Sequence, residues 1–122
     1  MQEKQGKNLA NRLLSFAVEV IKVIQIIGKS YVGRQIAGQL IRSSTSAGAN
    51  YEEACAAESR SDFIHKLQIV LKELREASYW LKLISKAFLI PSEKADVLIQ
   101  ETSELSSIIA KSIVTAKRNR EK

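Results

Sequence analysis

Between residues 34 and 56 the chain reads RQIAGQLIRSSTSAGANYEEACA. So much Ser, Gly and Ala usually marks a linker, yet Ile36, Leu40, Ala47, Tyr51 and Ala54 fall on one face at 100° per residue. A linker has no reason to keep that register. The spacing therefore predicts a helix over about 34–56, despite a cost of roughly 1 kcal/mol for Gly48 relative to Ala. On this reading Gly38, Ser44, Ala47, Gly48 and Ala49 keep the helix thin so that neighbouring backbones approach closely. The competing reading is that the same small residues mark a weak, mobile helix.

The rest of the chain repeats the helical period, with no sustained period-2 alternation. Leu9, Leu13, Phe16, Val20, Ile24 and Ile27 predict a first helix over about 8–29, ended by a turn at Gly28, Ser30 and Gly33. A third helix over about 60–88 starts at Ser59 or Ser61 and carries Phe63, Leu67, Val70, Leu74, Ala77, Leu81 and Ile84. After Pro91, Ser92 is placed to cap a fourth helix over about 92–118. Its stripe is Leu98, Thr102, Leu105, Ile109, Ile113 and Ala116. Short connections force antiparallel neighbours. The 122 residues thus predict a single all-α domain, an antiparallel up-down-up-down four-helix bundle with a basic C-terminal tail.

Beside the apolar face of the second helix runs a polar stripe of Gln39, Arg42, Ser43, Ser46, Asn50 and Glu53. On the third helix Glu73 sits angularly among Ile69, Trp80 and Ile84, where a carboxylate needs a partner. Arg42 can take it at two points. Gln39, Arg42, Ser43, Ser46, Asn50 and Glu73 are accordingly expected to form an interior network that sets helix register. Leu14, Ile21, Val23 and Ile26 widen the apolar surface of the first helix beyond what one bundle core uses, which predicts an interface between copies.

Signals for chemistry are weak. The one histidine, His65, follows Asp62 in a D-x-x-H arrangement, but a di-iron bundle needs two such motifs. Cys55 stands among alanines and is read as a packing residue. No phosphate-binding glycine loop or zinc spacing occurs, so no enzyme, metal or cofactor is expected. The lone cysteine, the absence of an apolar leader and the absence of a long apolar run point to a cytoplasmic protein without membrane association.

A net charge of +6 points towards an acidic partner. The residues chosen for nucleic-acid contact are Arg12, Lys22 and Lys29 on and after the first helix, with Lys117, Arg118 and Arg120 in the tail. The third helix also presents Lys66, Lys72, Arg75, Lys82 and Lys86. A solvated basic face with no ligand is the plain alternative.

Residues 39–84 resemble the bacterial four-helix-bundle family of 23S ribosomal RNA intervening-sequence proteins. The resemblance is carried by Gln39, Leu40, Arg42, Ser43, Ser46, Asn50 and Glu53, then Ser59, Asp62 and Phe63, then Lys72, Glu73, Glu76, Tyr79, Trp80 and Leu81. Ala47 is a mild departure from the family pattern. The resemblance implies a homo-oligomer, a ring of five bundles. It extends in fold to the pentameric, basic accessory protein of retroelements that works with a reverse transcriptase and RNA. The expectation is a non-enzymatic homopentamer that presents basic surface to RNA or DNA; the alternative is a protein–protein scaffold or accessory subunit without nucleic-acid binding.

Overall fold

The computed structural model describes residues 2–120 of the chain, with side chains for residues 8–119. Four helices follow one another: α1 Gln2–Ile24, α2 Tyr31–Cys55, α3 Arg60–Lys86 and α4 Ser92–Arg120. They form an all-α four-helix bundle in which α1 meets α2 and α4, and α3 meets α2 and α4. Among the described residues the backbones of the diagonal pairs do not approach each other, so the order around the bundle is the order along the chain. Among the described residues the α2–α3 and α3–α4 pairs approach closely, whereas α1 meets α4 only sparsely.

Local chemistry sets the boundaries. Ser30 caps α2 by accepting the Gly33 N–H at 3.0 Å, and Ser59 caps α3 by accepting the Asp62 N–H at 3.0 Å. The second helix thus begins three residues before the predicted Arg34, because Ser30 acts as a cap and not merely as part of a turn. The first ends at Ile24, not near Lys29: Gln25, Ile26 and Ile27 donate to carbonyls three residues back, the tightened closing turn of a helix. Ser92 is the first residue of α4 and does not cap it; the Pro91 carbonyl accepts the Ala95 and Lys94 N–H groups.

The third helix closes with Phe88 in the left-handed region, φ 59°. Leu89 N–H reaches the Ile84 carbonyl at 2.9 Å and Phe88 N–H the Ser85 carbonyl at 3.1 Å. This paired closure normally takes glycine at the Phe88 position. The ring is 91% exposed, so no packing offsets the backbone conformation.

The core is one cluster drawn from every helix. Leu13, Val20, Leu40, Ala47, Leu67, Val70, Leu74, Leu81, Ile84, Leu105 and Ile109 are all fully enclosed. The stripes read from the sequence supply most of it, with two exchanges. Ile64 is buried where Phe63 was expected and Phe63 is only half-buried, while Val23 turns inward. Leu14, Ile21 and Ile26 remain exposed, and Val18 joins Leu14 and Ile21 in a solvent-facing stripe on α1.

Of the glycines expected to permit close approach, Gly48 lies against the α1 backbone, whereas Gly38 faces open space. A methyl added at Gly48 would meet Leu13 Cβ at 3.7 Å and the Leu13 carbonyl at 3.9 Å, ordinary contacts, and one at Gly38 would meet nothing. At Gly33 it would lie 2.9 Å from both Ile27 Cγ2 and Ser30 Oγ and 3.1 Å from the Gly28 carbonyl. That glycine lets the loop fold back over the start of α2. Denaturant melts should therefore separate three variants. Gly33→Ala loses about 1–3 kcal/mol through overpacking, Gly48→Ala gains up to about 1 kcal/mol, and Phe88→Gly gains about 1 kcal/mol by relieving the left-handed residue.

Candidate nucleic-acid interface

The polar residues of α2 divide into separate local sets. Ser43 and Ser44 are fully buried, and their hydroxyls donate to the carbonyls of Gln39 at 3.0 Å and Leu40 at 2.7 Å. A serine hydroxyl is short enough to be satisfied by its own helix, so Ser43 does not join Arg42. Asn50 donates to the Ser46 carbonyl at 2.9 Å and hydroxyl at 3.0 Å, closing a second set.

Arg42 heads the third. It donates to Glu73 at 2.8 Å and also to Glu76, and its Nε reaches Gln39 at 3.4 Å. Glu73 is buried, but Arg42 is about half exposed and Glu76 partly so. The single interior network expected from the sequence is therefore a clamp across the α2–α3 surface with one foot in the core. Glu76 and Trp80 were missed as members: the indole N–H donates to Glu76 at 3.0 Å. Their i,i+4 spacing was the available signal.

The side chains nominated for polyanion contact do not make one surface. Arg12 is held by Glu101 on α4, Nη2 to Oε1 at 2.6 Å and Nε to Oε2 at 3.2 Å, with Glu104 at 3.5 Å. These carboxylates raise the Arg12 pKa, the Glu101 hydrogen bond most of all. Arg12 thus serves the α1–α4 seam. Lys22 pairs with Glu19 at 3.3 Å. Lys29 is exposed after α1, and Lys117 and Arg118 are exposed at the far end of α4. With α1 and α4 antiparallel, Lys22 and Lys117 stand roughly 35 Å apart along the bundle at 1.5 Å per residue. The Arg120 side chain lies outside the described residues.

The unpaired charge collects on α3 instead. Lys72, Arg75, Lys82 and Lys86 are exposed and lie within an arc of roughly 80° at 3.6 residues per turn. Among the described residues none of the four forms an ion pair, although the Glu76 carboxylate, one turn after Lys72, feels that lysine's charge without pairing with it. Lys66 lies about 120° round the helix from Lys72, outside this arc, and pairs with Glu53 at 3.0 Å. Tyr79 stands in the middle of the ladder, 59% exposed. Beside it a shallow groove of about 410 Å³ runs between α3 and α4, lined by Arg75, Ser78 and Lys82 on one side and Gln100, Ser103 and Ser106 on the other.

The remaining candidates for chemistry stand apart. His65 is exposed, and Cys55 is exposed at the end of α2, not packed as expected. Among the described residues no three His, Cys, Asp or Glu side chains gather as metal ligands, and no helix is long and apolar enough to cross a membrane.

The Glu76 carboxyl is held below its ordinary 4.5 by the Trp80 indole N–H first and the Arg42 guanidinium second. A depressed folded pKa contributes stability that is present above the unfolded value and lost as pH falls through the folded one. Glu76→Gln should thus be less stable than the parent at neutral pH and equal to it in acid below that folded value, in urea melts read by the only tryptophan, Trp80. Arg42→Ala should lose about 1–3 kcal/mol at neutral pH by stranding Glu73. Arg42→Lys should recover only part, since a single ammonium does not reproduce a two-carboxylate clamp.

Comparison with known proteins agrees with this architecture. A crystal structure of a protein of unknown function from the S23 ribosomal protein family of Bacteroides thetaiotaomicron VPI-5482 is similar, with a TM-score of 0.80 and 34% identity, covering 86% of this chain and 97% of that one. No curated protein matches the chain. The family model for the 23S rRNA-intervening sequence protein matches residues 8–111. With the fold, the Arg42–Glu73 pair and this match in agreement, the chain belongs to the 23S rRNA-intervening sequence protein family.

Proposed function

We propose that this protein is a non-enzymatic homo-oligomer, a ring of five bundles in the cytoplasm, that holds RNA or DNA by the phosphate backbone on the basic face of α3. The observation that carries this reading is the ladder of Lys72, Arg75, Lys82 and Lys86, none of which forms an ion pair among the described residues. Phosphate contact requires such charges and no sequence-reading module. Lys117 and Arg118 extend the same sign of charge at the end of α4. Self-association is supported by the exposed Leu14, Val18 and Ile21 stripe on α1. Five copies multiply the +6 of one chain fivefold, a field that concentrates polyanions.

The same α1 stripe favours a second reading, a scaffold or accessory subunit that binds only protein and uses its charge for solubility. Titration of labelled duplex DNA and RNA of unrelated sequence at several salt concentrations separates the two. The first reading expects affinity to fall steeply with salt. Replacing Lys72, Arg75, Lys82 and Lys86 together by Gln should then flatten the log–log slope by up to about 0.9 per lost phosphate contact. Absence of binding even at low salt leaves the scaffold. Sedimentation should give five times the 13.6 kDa chain mass, and a monomer would remove the ring.

A further inference from the structure

We infer that the basic face of α3 prefers single-stranded nucleic acid, with an unpaired base stacked on Tyr79. This rests on the phosphate-binding reading above and names the form of polyanion the same surface takes.

Tyr79 lies four residues after Arg75 and three before Lys82, so it is the middle residue of a gap of roughly 10 Å between two cations. Its ring is 59% exposed.

The ring is braced from one side. Trp80 meets it edge to face, with centroids 5.1 Å apart and planes at 76°. The indole in turn donates to Glu76 at 3.0 Å, and Glu76 is held by Arg42 from α2. A ring held by such a chain loses little freedom when a base lands on it. The groove alongside offers Ser78, Gln100, Ser103 and Ser106, hydroxyl and amide groups able to pair with sugar or base edges.

These parts distinguish strand from duplex. The ladder reads phosphates in either form. The faces of paired bases in a duplex are covered by their neighbours, so Tyr79 finds no partner there. In a single strand a base can turn out of the backbone path and lie on the ring, and stacking of this kind is tolerant of sequence.

The test uses the full chain with a labelled pyrimidine single strand and a blunt-ended duplex of the same strand length at one moderate salt concentration. The parent should bind the single strand more tightly, with Trp80 emission changing on binding. Tyr79→Ala should weaken single-strand binding by about 5- to 100-fold and leave the duplex within about twofold, while Tyr79→Phe behaves as the parent. If Tyr79→Ala weakens both forms equally, or neither, the stacking role is overturned while salt-dependent binding stands. If it lowers particle mass in sedimentation together with binding, Tyr79 is a contact between subunits and the inference fails. A parent that binds neither form removes both this inference and the reading it rests on.

Discussion

Everything in this bundle depends on α2 being enclosed although it is built largely from small and hydroxylated residues. Burial of Ser43 and Ser44 would be costly if their hydroxyls lacked partners. Both are satisfied by carbonyls one turn back on the same helix. The helix therefore presents a narrow, chemically closed side to α1 and α3. Leu13 packs over Gly48, and Leu40, Ala47 and Tyr51 enter the common core.

The clamp from Arg42 to Glu73 and Glu76 then joins α2 to α3 at a defined height. Its buried end is the side where a missing partner costs most, and its outer end meets solvent. Through Glu76 and Trp80 the same clamp reaches the exposed side of α3. A structural contact between two helices and the posture of a surface aromatic ring are thus joined by hydrogen bonds from Arg42 to Trp80 and by the edge-to-face contact of Trp80 with Tyr79.

The fold was largely legible because its signal is periodic. Leu67, Leu74, Leu81, Leu98, Leu105 and Ile109 recur at helical spacing, and no tertiary contact was needed to read them. The pairing of Arg42 with Glu73 followed from angle and charge. What escaped was decided by short-range partners. The wheel placed Ser43 in a network, but a nearer carbonyl satisfied it. Formal charge made Arg12 a ligand contact, but Glu101 on a helix nearly ninety residues away claims it. Counting cations along a sequence cannot separate paired from free ones: Lys66, Lys72, Arg75, Lys82 and Lys86 were all legible on the third helix, but that Glu53 takes Lys66 was not. Cys55 and Phe63 were misplaced for a simpler reason, since each lies near a helix end where the wheel no longer describes the surroundings.

The sparse seam between α1 and α4 has a consequence for how the molecule opens. Among the described residues α3 is locked to both α2 and α4 by long contacts, while α1 is secured mainly on one flank and by a partly exposed ion pair on the other. Amide exchange through partial opening should therefore begin with this helix, leaving the other three as a slower cooperative unit. Its departure would bare Leu9, Leu13, Phe16 and Val20 together. With a short hinge at Gly28 to Ser30, such a detached rod can re-seat in the vacated slot of a neighbouring molecule, a route to exchange of parts between copies.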